Sequence, residues 1–541
     1  MTTAALEPAP PVAAKTVHSP ALQRYPLTQG VNPWLVTVSI MLPTFMEVLD
    51  TAIASVALPY IAGSLSASND EATWVLTSYL VANAVILPAA NWFARRFGRK
   101  NFLLFCVVVF TVASFFCGAA PSLAVILVAR VLQGAGGGAL QPLAQSILLE
   151  SFPVHKRSQS MAAYGLGIVL APVLGPTLGG WLTDTYSWRY AFYINIPVGL
   201  LAIVLIGRFV HDPPFIKHAK VGPFDNIGFG LLMIWTGCLQ VVLDKGQEDD
   251  WFGALWVRWA TGALVVALIG WVWRSWTHPR GLVDLHIIRN RNFRNGCILI
   301  WLLGMCIYIT ITILPLYYQE IMGYTAFNAG LVVGPRGIGS FIGSLIIGFL
   351  GARMDNRRLL TAGFIGFGLC SLYFGNVNLA IGPLTLLMPI LVTGFALSFV
   401  FVPLSTLSTA TIPREEMGNA TGLFNMLRNI GGSIGIAMAT TAIIRRAAQH
   451  QNDLAGQISP SNPVLQQKSA QIAGYLAHRM GPGAARPGSF GMLYGLMEQQ
   501  AALKAYVDVF RWTALLAFFC AAAVWLFKKP PKHAAAPPGM H

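Results

Sequence analysis

Two carboxylates, Glu47 and Asp50, interrupt an apolar run covering residues 34–62. A charged group near the centre of a lipid bilayer costs at least about 2.5–3.5 kcal/mol on insertion scales. Acids held at that cost are candidates for carrying protons. Their three-residue spacing puts both on one face of a helix. A second apolar run, 122–150, carries Arg130, Gln133, Gln141 and Gln145. At 100° per residue these four fall within about 140° of one another, a polar stripe facing a cavity or the bundle interior. Asp50 lies about 18 Å, and Arg130 about 12 Å, from the outer ends of their helices by helical rise. The two can therefore sit at similar depth, as a coupled pair. The structural alternative for all six residues is hydrogen bonding between neighbouring helices.

Other intramembrane polar groups are Arg336, Asn425 and Arg428, candidates with Gln133, Gln141 and Gln145 for lining a substrate cavity. The stretch Ala171 to Gly180 places small residues at 171, 175 and 179, where another helix can approach closely. Pro172 and Pro176 remove backbone donors within it and permit bending. Such a helix suits a rocking interface between two halves, or simply tight packing. The loop Arg95-Arg96-Phe97-Gly98-Arg99-Lys100 carries a cluster of cations that either sets topology or contacts helix ends.

The elements positioning these residues follow from composition. Of 541 residues, 55% are hydrophobic and 11% charged, against roughly 25% charged in soluble domains. Lipid must be the solvent for much of the chain. Fourteen apolar runs are long enough to span a bilayer as helices: 34–62, 72–94, 102–120, 122–150, 160–182, 191–210, 226–243, 254–273, 295–319, 327–351, 360–377, 383–409, 417–444 and 508–527. The fold class expected is all-α integral membrane. Lys and Arg cluster at alternate ends, at Arg95–Lys100, Lys156–Arg157 and Arg353–Arg358, which sets both termini in the cytoplasm. The domains expected are a disordered cytoplasmic tail (1–30), a six-helix half (31–210), two inserted helices (211–280), a second six-helix half (281–527) and a cytoplasmic tail (528–541). Within the second half, residues 447–505 are polar and Gln-rich, and read as an external loop with partial disorder.

The net charge of +15 is spread through short loops, with no basic face suited to nucleic acid. Seven cysteines lie in or beside apolar segments, so no disulfide framework is expected. Histidines lack metal-ligand spacing, and no phosphate-binding Gly-rich loop occurs. Neither a metal nor a cofactor is expected, nor a catalytic residue or enzymatic activity.

Several stretches together carry a family resemblance: Leu49-Asp-Thr-Ala-Ile-Ala-Ser-Val-Ala-Leu-Pro59, Ala72-Thr-Trp-Val-Leu-Thr-Ser-Tyr79, Arg130-Val-Leu-Gln-Gly134, Ala171–Gly180, Phe192-Tyr-Ile-Asn-Ile-Pro197, Leu243-Asp-Lys-Gly246 and Arg428-Asn-Ile-Gly-Gly-Ser-Ile-Gly435. From about residue 34 to 527 the chain resembles the fourteen-helix drug:proton antiporters of the major facilitator superfamily, especially the EmrB-like branch. The resemblance implies the major facilitator fold and efflux of lipophilic drugs or toxic small molecules across a bacterial inner membrane. It implies a proton gradient as energy source, with Asp50 as coupling acid and Arg130 as motif arginine. It implies an antiport motif at Pro172, Gly175, Pro176, Gly179 and Gly180, and a cytoplasmic loop motif at Arg96, Gly98 and Arg99. It also implies a periplasmic membrane-fusion adaptor and an outer-membrane channel as partners. The loop departs from the superfamily pattern at Arg95, where an acid is usual, and at Asn91, where Gly is usual. The competing expectation is a proton-coupled solute importer on the same fold, against which the antiport motif counts.

Overall fold

The computed structural model describes residues 31–153, 156–212, 222–278, 282–351, 354–379, 381–457 and 463–527. Both expected tails, 1–30 and 528–541, and Arg353 of the third basic cluster lie outside the described residues. Among the described residues the secondary structure is helical throughout, with no strand. In lipid this is the economical outcome, because a helix satisfies its own backbone donors and acceptors.

A first set comprises α1 (Pro33–Ser64), α2 (Asn69–Phe97), α3 (Arg99–Ala119), α4 (Leu123–Gly137), α5 (Leu140–Ser151), α6 (Arg157–Thr185), α7 (Tyr190–Tyr193) and α8 (Asn195–Phe209). Two inserted helices follow, α9 (Asn226–Lys245) and α10 (Leu255–Thr277). The second set is α11 (Arg291–Leu316), α12 (Ala326–Val333), α13 (Pro335–Leu350), α14 (Asn356–Phe374), α15 (Pro383–Thr409), α16 (Met417–Gln457), α17 (Pro463–Met480) and α18 (Pro482–Ala523). Short breaks divide single spans, as between α4 and α5 and between α12 and α13. Each set therefore contributes six crossings.

Thirteen stretches among the described residues are long and apolar enough to cross a membrane. The fourteenth expected span corresponds to α14, which packs between α15 and α18. Arg357 and Arg358 at its start, together with its small and hydroxylated residues, dilute its apolar character.

The first set packs around α1, which lies against α6 and α8, while α2 and α3 flank α4. In the second set α11 lies on α16 and α13 on α15. The two sets meet where α6 runs beside α12, α13 and α15, and where α2 and α5 meet α16. The inserted helices pair through Trp235 and Trp271, whose ring centroids are 5.5 Å apart, and through Arg274 and Asp225 at 2.8 Å. The first of them touches α2 and α16, and so both sets.

Residues 447–505 differ from the expectation of an irregular loop. The described part is helical: α16 continues to Gln457, α17 covers 463–480, and α18 begins at Pro482. Pro463 and Pro482 stand in the first turn of α17 and α18, where a missing N–H costs nothing, and Pro487 is accommodated inside α18. Gly481 precedes α18 with φ of 79°, a conformation glycine adopts freely. Gln451 reaches Tyr494 at 2.8 Å, Ser469 meets Ser489 at 3.0 Å, and His450 meets Asp508 at 2.9 Å.

Close packing depends on missing side chains. A Cβ at Gly304 of α11 would strike the backbone carbonyl of Arg428 on α16, whereas one at Gly262 of α10 meets nothing within 4 Å. Gly304→Leu should therefore destabilise the folded protein by the upper end of the about 1–3 kcal/mol typical of overpacking. Gly262→Leu should leave it unchanged. Thermal unfolding of the two variants in detergent, followed by intrinsic fluorescence, measures the difference.

Candidate functional site

The site begins at α1, where Asp50 is buried and addressed by three side chains from two other helices. Arg130 Nη1 on α4 donates to Oδ2 at 2.6 Å. Gln133 Nε2 donates to Oδ1 at 2.9 Å, and Asn195 Nδ2 on α8 donates to the same oxygen at 2.6 Å. Arg130 is itself held by Gln133 Oε1 at 2.7 Å and by the Val75 carbonyl at 2.9 Å. Its guanidinium lies 4.2 Å from the centroid of the Tyr79 ring. Ser114 on α3 accepts from Gln133 at 2.7 Å. Both members of the ion pair have no solvent exposure, so neither can be removed without stranding the other.

One helical turn earlier, Glu47 forms a second cluster. Gln141 Nε2 on α5 donates to Oε2 at 2.6 Å, and Asn83 Nδ2 on α2 donates to Oε1 at 3.0 Å. The Tyr79 hydroxyl reaches Oε1 at 3.4 Å, so one tyrosine touches Glu47 with its hydroxyl and Arg130 with its ring face.

The expected stripe on the fourth span is divided by the α4–α5 break at Gly138–Ala139. Arg130 and Gln133 serve Asp50, whereas Gln141 serves Glu47. Gln133, expected to line a substrate cavity, belongs instead to the Asp50 cluster. Glycines make this possible: a Cβ at Gly134 or Gly138 would collide with the backbone of Tyr79 or Asn83 on α2.

Gln141 also carries the site across the junction between the two sets. Arg428 Nη2 on α16 donates to Gln141 Oε1. Nearby, Asn425 Nδ2 donates to Gln145 Oε1 at 2.6 Å, and Thr421 donates to the Pro142 carbonyl at 3.1 Å. Several buried atoms at this junction have no hydrogen-bond partner: Arg428 Nε and Nη1, Gln145 Nε2 and Asn425 Oδ1. Unsatisfied buried donors and acceptors are costly. They suit a place where another polar molecule binds.

Arg336 stands apart from both clusters, on α13, with its Nη2 donating to Thr310 at 3.2 Å. The helix α6 serves two surfaces. Gly175 and Gly179 press on Ala52 and Ile53 of α1, and a Cβ at Gly175 would have no room. Pro172 and Pro176 face the second set in a small cavity shared with Pro315, Gly330 and Arg336. Gly180 lies near Phe327 of α12, with about 3.7 Å left for a Cβ.

At the end of the bundle bearing the basic loop, Gly98 has φ of 89° and starts α3. Arg99 is buried and paired with Glu150 at the end of α5. Arg96 is exposed. Asp212 accepts from the Lys100 amide at 2.9 Å. Among the described residues no group of three or more His, Cys, Asp or Glu is placed to hold a metal ion.

Sequence reasoning did not single out Tyr79, Asn83, Ser114, Glu150 or Asn195. Tyr79 and Asn195 stand within motif stretches already recognised, and that was their only signal. A lone Asn83 or Ser114 in an apolar run carries none.

The Major Facilitator Superfamily model matches residues 40–436. The multidrug export protein EmrB of Haemophilus influenzae is 35% identical over 524 residues, covering 94% of this chain and 98% of that protein. EmrB of Escherichia coli K12 is 35% identical over 512 residues, with the same coverages. The crystal structure of the human organic anion transporter MFSD10 superposes with a TM-score of 0.57 at 14% identity. The superposition covers 90% of this chain and 99% of that one, a likeness of fold.

Arg130→Ala should strand Asp50 and cost about 3–5 kcal/mol of stability. Asp50→Asn combined with Arg130→Gln should cost less than the two single losses added together, because neither charge is left unpaired. Melting of the four proteins in detergent checks this; additive losses would contradict the coupling.

Proposed function

This chain belongs to the major facilitator superfamily, and we propose that it exports lipophilic drugs or toxic small molecules across the cytoplasmic membrane in exchange for protons. The observation that carries the reading is the fully buried Asp50–Arg130 pair, joined by polar contacts to the junction of the two halves. EmrB relatives matching nearly end to end support drug export.

In this reading Asp50 carries the proton. Protonation cancels the charge that Arg130, Gln133 and Asn195 address. Arg130 remains tethered by the Val75 carbonyl and the Tyr79 ring, so its release is a local shift rather than an expulsion. Tyr79 touches Glu47, Glu47 accepts from Gln141, and Gln141 accepts from Arg428 across the junction. A change of charge at Asp50 thus reaches a contact between the two halves. Glu47 acts as a relay or second proton site. Gln145, Asn425 and Arg428 offer the polar contacts of the substrate cavity, and α6, bearing Pro172, Gly175, Pro176, Gly179 and Gly180, is the surface on which the halves rock. The Arg99–Glu150 pair, just after Gly98, ties α3 to α5 at one end of the first half. No cofactor is required beyond the proton gradient.

Both termini face the cytoplasm, as the basic loops dictate. The extension formed by the end of α16, α17 and the start of α18 then lies outside, where it docks a periplasmic membrane-fusion adaptor that leads to an outer-membrane channel. Tyr475, Phe490 and Tyr494 are exposed on it.

In inverted vesicles, adding an exported drug should move protons with the wild type and not with Asp50→Asn, although the variant reaches the membrane in equal amount. An importer would instead raise drug accumulation in whole cells, reversing the sign of the effect. Replacing 455–500 by a Gly/Ser linker should spare vesicle transport while reducing adaptor copurification and whole-cell resistance; full adaptor binding after replacement would rule out docking.

A further inference from the structure

The Asp50 site leaves the inserted helices without a role, yet α9 touches both halves, α2 of the first and α16 of the second. Leu239 and Gln240 of α9 close one small cavity with Leu87 of α2 and Ile430 of α16. The helix therefore covers a seam between the halves. The other seam is served by α6, against α12, α13 and α15. The covering helix also bears on the proton site, because α2 supplies the Val75 carbonyl and the Tyr79 ring that hold Arg130.

The hold of α9 on its two neighbours is unequal. On α2, Thr73 and Thr77 stand four residues apart and so share one helix face. Lys245 Nζ donates to Thr73 Oγ1, and the Asp244 carboxylate is hydrogen-bonded to Thr77. Both bonds involve a charged partner, which makes them roughly twice as strong as neutral ones. Gly237 adds a close approach to α2, where a Cβ would sit 3.7 Å from Val81 Cγ1. On α16 the polar contact is neutral: Ser433 Oγ donates to Gln240 Oε1 at 2.9 Å. Gln240 is 7% exposed, and its Nε2 donates to Asp244 Oδ1 at 3.0 Å. A hydrogen-bonded chain thus runs from Thr77 through Asp244 and Gln240 to Ser433, from one half to the other, and its last link carries no charge. It lies toward the end of the bundle opposite the basic loop, since Thr73 is near the start of α2 and Arg95 and Arg96 are in its last turn.

We propose that α9 is a strap across this seam. It moves with the first half and holds the second through the Ser433–Gln240 bond, which breaks when the halves part at that end. The inference rests on the export reading, in which the halves rock, and gives the inserted helices the task of setting how readily they open. Losing one neutral hydrogen bond shifts a two-state equilibrium by roughly two- to tenfold. Such a link biases the closed arrangement and still yields in every cycle. The charged links to α2 keep the strap in place while it does so.

The test uses the full-length protein with its seven native cysteines replaced. In one arm, α9 is tied to α2 by linking Val81→Cys with Gly237→Cys, or to α16 by linking Leu239→Cys with Ile430→Cys, using a short bis-methanethiosulfonate. Drug-driven proton movement is then followed in proteoliposomes before and after reduction of the linker. The α2 tie should leave transport intact, whereas the α16 tie should stop it until the linker is reduced. Transport with both ties, loss with both, or loss with the α2 tie alone would overturn the strap. The second arm needs no transport. Spin labels at Gly63→Cys and Gly382→Cys, positions where a Cβ meets nothing within 4 Å, report the separation of α1 and α15 at the end opposite the basic loop. Ser433→Ala should raise the ratio of long to short distances in nanodiscs by roughly two- to tenfold, the range of one neutral hydrogen bond. Gln240→Leu should do the same, and the double variant should shift the ratio no further than Gln240→Leu alone, because both changes remove one link. Unchanged distances in Ser433→Ala, or shifts that add in the double variant, would contradict the proposal. Absence of proton movement with every drug in the unlinked wild type would count against the export reading instead, and the distance measurement would still decide the strap.

Discussion

The structure depends on a carboxylate that cannot be left alone in lipid. Asp50 is 1% exposed, and side chains of α4 and α8 answer it. The short approach of α4 to α1 brings Arg130, the turn into α8 brings Asn195, and α3 brings Ser114 behind Gln133. The glycines in and just after α4 exist in the same service. Gly134 and Gly138 let α2 come close enough for the Val75 carbonyl to hold Arg130 and for Tyr79 to lie across it. A buried ion pair adds little net stability, yet breaking it is severe. Such an interaction makes the helices interdependent and sensitive to one proton.

That sensitivity has a route outward. The break between α4 and α5 turns one polar stripe into two functional faces, with Asp50 above and Glu47 below. Tyr79 bridges them, and Gln141 passes the connection to Arg428 on the second half. The halves therefore meet through hydrogen bonds that depend on amide and carboxylate geometry, and through α6, where glycines face α1 and prolines face α12 and α13. The first kind of contact can respond to charge. The second can slide or bend without breaking a hydrogen bond.

Much of this was visible in the sequence. Apolar runs located the spans because the membrane imposes a length and composition that few other environments require. Glu47, Asp50, Arg130 and Arg428 stood out because charge inside such runs is expensive. The α14 span was the least distinct, with arginines at its start. Three features were hidden. Residues 447–505 suggested irregularity by their glutamine, glycine and proline content, yet these residues also build helices, and prolines at helix starts are compatible with them. Gln133 could not be separated from Gln141 and Gln145, because the break at Gly138–Ala139 alters the angular relation on which the stripe was drawn. Asn83, Ser114 and Thr310 are uncharged and sparse, so nothing local distinguished them from ordinary packing residues. Only the fold shows which carboxylate or guanidinium they meet.

The central claim is that Asp50 exchanges a proton in step with substrate, at the expense of its contact with Arg130. Proton release on drug binding to the purified protein in weakly buffered detergent solution, measured with a pH indicator, addresses it without a membrane gradient. The account predicts release by the wild type and none by Asp50→Asn at equal drug occupancy. Undiminished release by Asp50→Asn would place the coupling proton elsewhere and contradict the account.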